Sequence, residues 1–174
     1  MDTEKQKSSP GGTVPGEKVP PVLTAEDVAA LEELCGDVSG YFYKMLDYQR
    51  VRDGVRQGEF TEEQARGDLD LALWYAYACN NIDDYDYYYK AAQWMPASEP
   101  AAEAAGSGIW YYRYACALMY CGRLEKARQY AETGVALDPD YPWGWLETGK
   151  LRAHFGDRDG ALEAVRRGLE LVPG

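Results

Sequence analysis

One stretch of this chain is written twice. Residues 108–174 superpose on themselves after a shift of 34 positions: Gly122 falls on Gly156, Ala127 on Ala161, Gly134 on Gly168, Leu137 on Leu171 and Pro139 on Pro173. A period of roughly 20–50 residues is the signature of a stacked repeat, in which each unit buries its apolar face against its neighbours. Within each copy the apolar pattern reads as two helices, 108–121 with 124–138 and 142–155 with 158–172. The connections, Gly122-Arg123 and Gly156-Asp157, are too short for anything but antiparallel neighbours.

Charge separates the repeats from what precedes them. The net charge is −11, and residues 1–108 hold all of it, with 9 Lys and Arg against 20 Asp and Glu; residues 109–174 balance at 9 and 9. Phosphate contacts need clustered Lys and Arg, so a nucleic-acid binder is not expected. No apolar run approaches the ~18 residues of a membrane span. With no secretory signal after Met1, the chain is expected to be cytoplasmic. Cys79, Cys116 and Cys121 then read as reduced, small core residues. Cys116 and Cys121, five apart, point to different sides of a helix, and no metal site is expected.

Residues 1–23 are rich in Pro, Gly, Ser and Lys and are expected to form a disordered arm. Order should begin at a Thr24 cap with acids in the first turn. A helical extension runs over 24–58, with Gly36 and Gly40 as a break or as tolerated interruptions and Gly58 as its C-terminal stop. Thr61 and Gln64 form a capping box with Phe60 as the staple, opening a helix expected to run to about Cys79. Asn80-Asn81 reads as a turn, and 82–94 as the second helix of a pair spanning 59–96. Asp83, Asp84 and Asp86 lack the spacing and the glycine of a calcium loop, so they are read as helix-start acids. Residues 97–107, rich in Ala, Pro and Glu, are expected to be a linker, followed by repeats over 108–141 and 142–174.

The repeat landmarks resemble the tetratricopeptide repeat. In that family a small residue marks the helix crossing, a glycine ends the first helix, an alanine comes early in the second and a proline closes the unit. The 108–141 copy offers Tyr111, Tyr114, Ala115, Leu118, Gly122, Ala127, Gly134 and Pro139 at those positions. The next offers Trp145, Thr148, Gly149, Gly156, Ala161, Gly168 and Pro173. It departs at Arg152, where an aromatic or Leu is expected; Arg152 either weakens that core or lies over the surface by its stem. A degenerate copy over 65–96 matches at Leu71, Ala72, Tyr75, Tyr88 and Ala91, with Asp84 where Ala belongs. The resemblance implies an all-α, right-handed superhelical array of antiparallel helix pairs, with an extra N-terminal helical segment.

It also implies a non-enzymatic scaffold that binds a protein or peptide, without cofactors, in a concave groove lined by the first helix of each pair. Carried over by position, Leu69, Leu73 and Tyr77 would line it from the first pair. Ile109, Tyr112, Arg113, Cys116, Met119 and Tyr120 would come from the second. Trp143, Leu146, Glu147, Lys150 and His154 would come from the third. Only Arg113 and Lys150 can meet a carboxylate, which disfavours the carboxylate clamp that some members carry. A groove this apolar is expected to be filled, by a partner segment or by the chain's own 24–57 region. No capping helix follows the last repeat, so the chain is expected either to be part of a longer protein or to self-associate through that end, possible homodimerisation being the alternative function. An enzyme is not expected: the single histidine, His154, has no motif around it, and no phosphate-binding or zinc-protease motif occurs.

Overall fold

The computed structural model describes residues 21–34 and 40–172, and of their side chains all but those of 34–48. The expectations for residues 1–20 and for a break at Gly36 lie outside them. Among the described residues ten α-helices follow one another: α1 (Ala25–Leu34), α2 (Gly40–Gln57), α3 (Glu62–Gly67), α4 (Leu69–Ile82), α5 (Tyr85–Trp94), α6 (Glu99–Ala105), α7 (Gly108–Tyr120), α8 (Leu124–Leu137), α9 (Pro142–His154) and α10 (Arg158–Leu171). Among the described residues there is no strand.

The array is built by nearest-neighbour packing. α7 lies against α8, and α9 against α10; α5 seats on α7 and α8 on α9, so each pair's second helix carries the next pair's first. Small residues set the crossings. Ala115 and Ala127 are fully buried, and a Cβ on Gly134 would stand 2.6 Å from Tyr111 Cβ. Gly122 and Gly156 turn the chain at φ +86° and +83°, a conformation that a Cβ opposes. Around these crossings Trp110, Tyr111 and Tyr114 form an aromatic core, buried to 2% exposure or less.

The segment expected to be a linker is structure. Met95–Ser98 forms a 3-10 turn and Glu99–Ala105 a helix, with Pro100 in its first turn and Gly106 closing it at φ +61°. Proline is pre-set for a first helical turn and alanine is the best helix former, so a composition that reads as loop also reads as helix. Tertiary contact decides between them. Ser98 Oγ donates to Met95 O and accepts the Trp110 indole N–H, both at 2.8 Å and both buried. Tyr130 donates to Glu99 at 3.0 Å, holding the segment on α8.

Two other boundaries differ from the sequence reading. The expected helix over 61–79 is two helices hinged at Asp68. The Thr61–Gln64 capping box forms, at 3.1 and 2.9 Å. Asp68 then closes α3 through its N–H on Ala65 O and caps α4 by accepting the Leu71 N–H at 2.8 Å. Asn80 and Asn81 belong to α4, which ends at Ile82 and is capped by Asp83 in the left-handed region, φ +55°. Asp84, not Asp83, caps α5.

Residues 22 and 23, read as the end of a disordered arm, are buried. Val22 and Leu23 join Leu31, Phe60, Leu71 and Ala78 in a second core cluster. The described N-terminal helices thus cover the outer face of α4.

Candidate partner-binding groove

α4, α7 and α9 stand side by side as the first helices of successive pairs. Between them runs a groove of about 380 Å³ lined by Tyr77, Asn80 and Asn81 from α4, Tyr112, Arg113 and Cys116 from α7, and Tyr141 and Trp143 at the start of α9. The lining follows from helix period: 112, 113 and 116 share one face of α7, while 110, 111, 114 and 118 turn into the core. Pro142 starts α9 and places Trp143 in its first turn, 53% exposed. Tyr112 meets Tyr141 edge-on at 5.9 Å.

The floor is cross-tied. Arg113 Nη1 donates to Leu73 O at 2.7 Å and its guanidinium lies 5.1 Å from the Tyr77 ring. Asn80 Nδ2 donates to Arg113 O at 3.1 Å. Each helix thereby supplies a donor to the other's backbone, which holds α4 and α7 at a fixed spacing. Asn81 donates back to Tyr77 O at 2.7 Å. Asn80 Oδ1 is buried and accepts nothing.

Glu147 sits on α9 at 2% exposure with Oε1 unpartnered and Lys150 Nζ 3.7 Å from Oε2. Burial raises its carboxyl above the ordinary range, and Lys150 offsets part of that. Burial, with the Glu147 charge adding to it, pushes the Cys116 thiol up to about 12. Near neutrality it is a thiol, and the thiolate is the nucleophilic form, so Cys116 is a wall and not a reactive centre.

Of the positions carried over from the repeat pattern, the structure brings Tyr77, Tyr112, Arg113, Cys116 and Trp143 to this one cavity. Leu69, Leu73 and Met119 are partly buried against the main core, and Ile109 is half-buried. Tyr120 stacks on Tyr88 at 4.9 Å, and Tyr88 donates to Asp83 at 2.7 Å. Leu146 faces α10, its Cδ2 3.0 Å from where a Cβ on Gly168 would stand. Lys150 is exposed beside Glu147, and His154 is exposed at the end of α9 with its ring 5.2 Å from Phe155. Asn80, Asn81 and Tyr141 line the groove without being among the positions carried over from the repeat pattern. The asparagines look like turn residues, and Tyr141 precedes the helix by one residue.

Among the described residues, no three His, Cys, Asp or Glu side chains gather to hold a metal ion, and no helix is long and apolar enough to cross a membrane. No family model matches the chain, and no curated protein matches it. Similar solved structures are the crystal structure of MamA, at 16% identity and a TM-score of 0.49 over 83% of this chain and 86% of that one, and MamA MSR-1 C2, at 15% identity and 0.48 over 84% and 86%. The class of fold, an all-α array of antiparallel helix pairs, follows from the chain's own packing.

Proposed function

We propose that this chain is a non-enzymatic scaffold that holds a segment of a partner protein in the α4–α7–α9 groove. The observation that carries the reading is an open, aromatic-walled channel on a cross-tied floor, with Trp143 half-exposed at its edge. Exposed aromatic anchors over a rigid base are what partner interfaces use for affinity, because a ring brings much contact area for little lost rotamer entropy. Asn80, Asn81 and Arg113 supply the polar groups that set register. The described N-terminal segment packs on α4 through Val22, Leu23 and Leu31 against Leu71 and Ala78, and the occupant assigned to the groove is a segment of another protein. Screening a peptide library against the full chain tests this. Binders to the wild type should weaken at least tenfold on Trp143→Ala with Tyr112→Ala, or about 1.4 kcal/mol. Binders indifferent to both changes would overturn the reading.

A second reading rests on α10. Leu162 and Leu169 are 64% and 62% exposed and, with Val165, line an open cleft of about 470 Å³. That face fits self-association, and sedimentation at two concentrations tests it: a mass that does not change with concentration removes it.

A further inference from the structure

Away from the groove, a second cleft of about 390 Å³ opens where α2 meets α3, α4 and α5. Its position follows from local packing. Phe60 closes down on Gly54, which has no side chain to oppose the ring. The chain therefore reverses tightly at Gly58, at φ +74°, and α3 returns alongside α2. Arg66 on α3 thereby reaches Trp94 at the end of α5.

One wall of the cleft is aliphatic, Val51 and Val55, with Val55 39% exposed. The other is a stack. Tyr75 lies on Trp94 at 4.8 Å and 27°, and the Arg66 guanidinium stands 4.8 Å from the same indole ring. Arg52 and Glu62 complete the lining. A lining of flat rings and aliphatic side chains suits a flat apolar body.

The polar groups are unequal in kind. The lining carries two guanidiniums and one carboxylate, in a chain whose net charge is −11. Arg66 meets Glu62 Oε1 at 3.2 Å, a single acceptor for a group that carries five N–H donors. Arg52 meets Asp53 at 3.8 Å. The Trp94 indole N–H is buried with no acceptor, and indole can only donate. Arg66, with one carboxylate acceptor, and the Trp94 N–H are the donors that call for a ligand bringing acceptors.

We propose that this cleft is a binding site for a small amphipathic anion: a flat aromatic body carrying one carboxylate or sulfonate. The body lies between Val51 and Val55 and the Tyr75–Trp94 stack. The anionic head sits on Arg66, within reach of the Trp94 side. The site is separate from the groove and does not depend on the scaffold reading.

A matched pair of dyes tests it on the full chain. 1-Anilinonaphthalene-8-sulfonate and N-phenyl-1-naphthylamine share one ring system, and only the first carries the sulfonate. The sulfonate should bind one to one and about tenfold more tightly than the neutral dye, the ratio expected for one charge-assisted contact. Arg66→Gln should remove that ratio by weakening the sulfonate about tenfold while moving the neutral dye less than about twofold. Val55→Trp, which fills the cleft, should abolish both. Arg66 is 42% exposed at its side chain and Val55 39% exposed, so neither change removes a core side chain. Equal affinity for the two dyes overturns the proposal, as does indifference to Arg66→Gln or Val55→Trp. Loss of sulfonate binding in the Trp143→Ala, Tyr112→Ala variant would also overturn it, by placing the dye in the groove.

Discussion

At Gly134 two opposing preferences meet. Alanine is the better helix former by about 1 kcal/mol, yet its Cβ would lie 2.6 Å from Tyr111 Cβ, the near end of a buried ring that has no room to move. Overpacking outweighs propensity, so Gly134→Ala should destabilise by about 1–2 kcal/mol, seen as a lower urea midpoint at constant slope. A raised midpoint would show that α7 and α8 separate freely. Glu147 carries a pH dependence of known sign. Burial raises its folded-state pKa above the value near 4.3 expected in the unfolded chain. The stability it contributes is therefore full below the unfolded value and is lost as pH rises through the folded one. Glu147→Gln keeps the neutral form throughout. It should melt higher than wild type near pH 7 and converge with it near pH 4; a constant difference would show that the carboxyl titrates normally.

Between elements, Arg152 reaches two neighbouring helices at once. Its guanidinium pairs with Glu132 through two bonds of 2.7 and 2.8 Å and donates to Gly160 O at 3.0 Å, so one α9 side chain ties α8 and α10. In the sequence Arg152 is a mismatch to a hydrophobic position, and nothing in the repeat pattern announces Glu132, twenty residues away, as its partner. Arg152→Met keeps the stem but removes the fork. It should cost about 1.5 kcal/mol, the low end for charged hydrogen bonds because Glu132 is a third exposed, and the cost should shrink in high salt. A variant as stable as wild type would show that stem packing alone suffices. The α3–α4 hinge is similar in kind. Thr61 and Gln64 spell a helix start in the sequence, whereas the double role of Asp68 depends on α3 turning aside to reach α5 through Arg66.

Across the whole molecule, the first helix pair is covered on its outer face by the N-terminal helices. Val22, Leu23 and Leu31 are at most 4% exposed and pack with Leu71 and Ala78. Each such side chain is worth about 1.5–3 kcal/mol, so removing residues 1–58 should lower the melting temperature and expose α4. An unchanged melting temperature would show that the repeats need no cover. At the opposite end the apolar stripe of α10 faces outward.

The helices of the two strong repeats, their turns and their small-residue crossings were legible in the sequence, because period, glycine placement and alanine placement are local constraints that act within one unit. So was the Thr61 cap, and five of the positions carried over from the repeat pattern line the candidate groove. Tertiary structure alone decided the rest. Residues 95–105 become helix because Ser98 finds the Trp110 indole. Leu146 turns to α10 instead of the groove because Gly168 leaves it space. Arg152 becomes a clamp because Glu132 lies opposite. The Trp94 cleft exists only where α2 and α3 converge. Each of these depends on which residues from distant parts of the chain are brought within a few ångströms, and a repeat period says nothing about that.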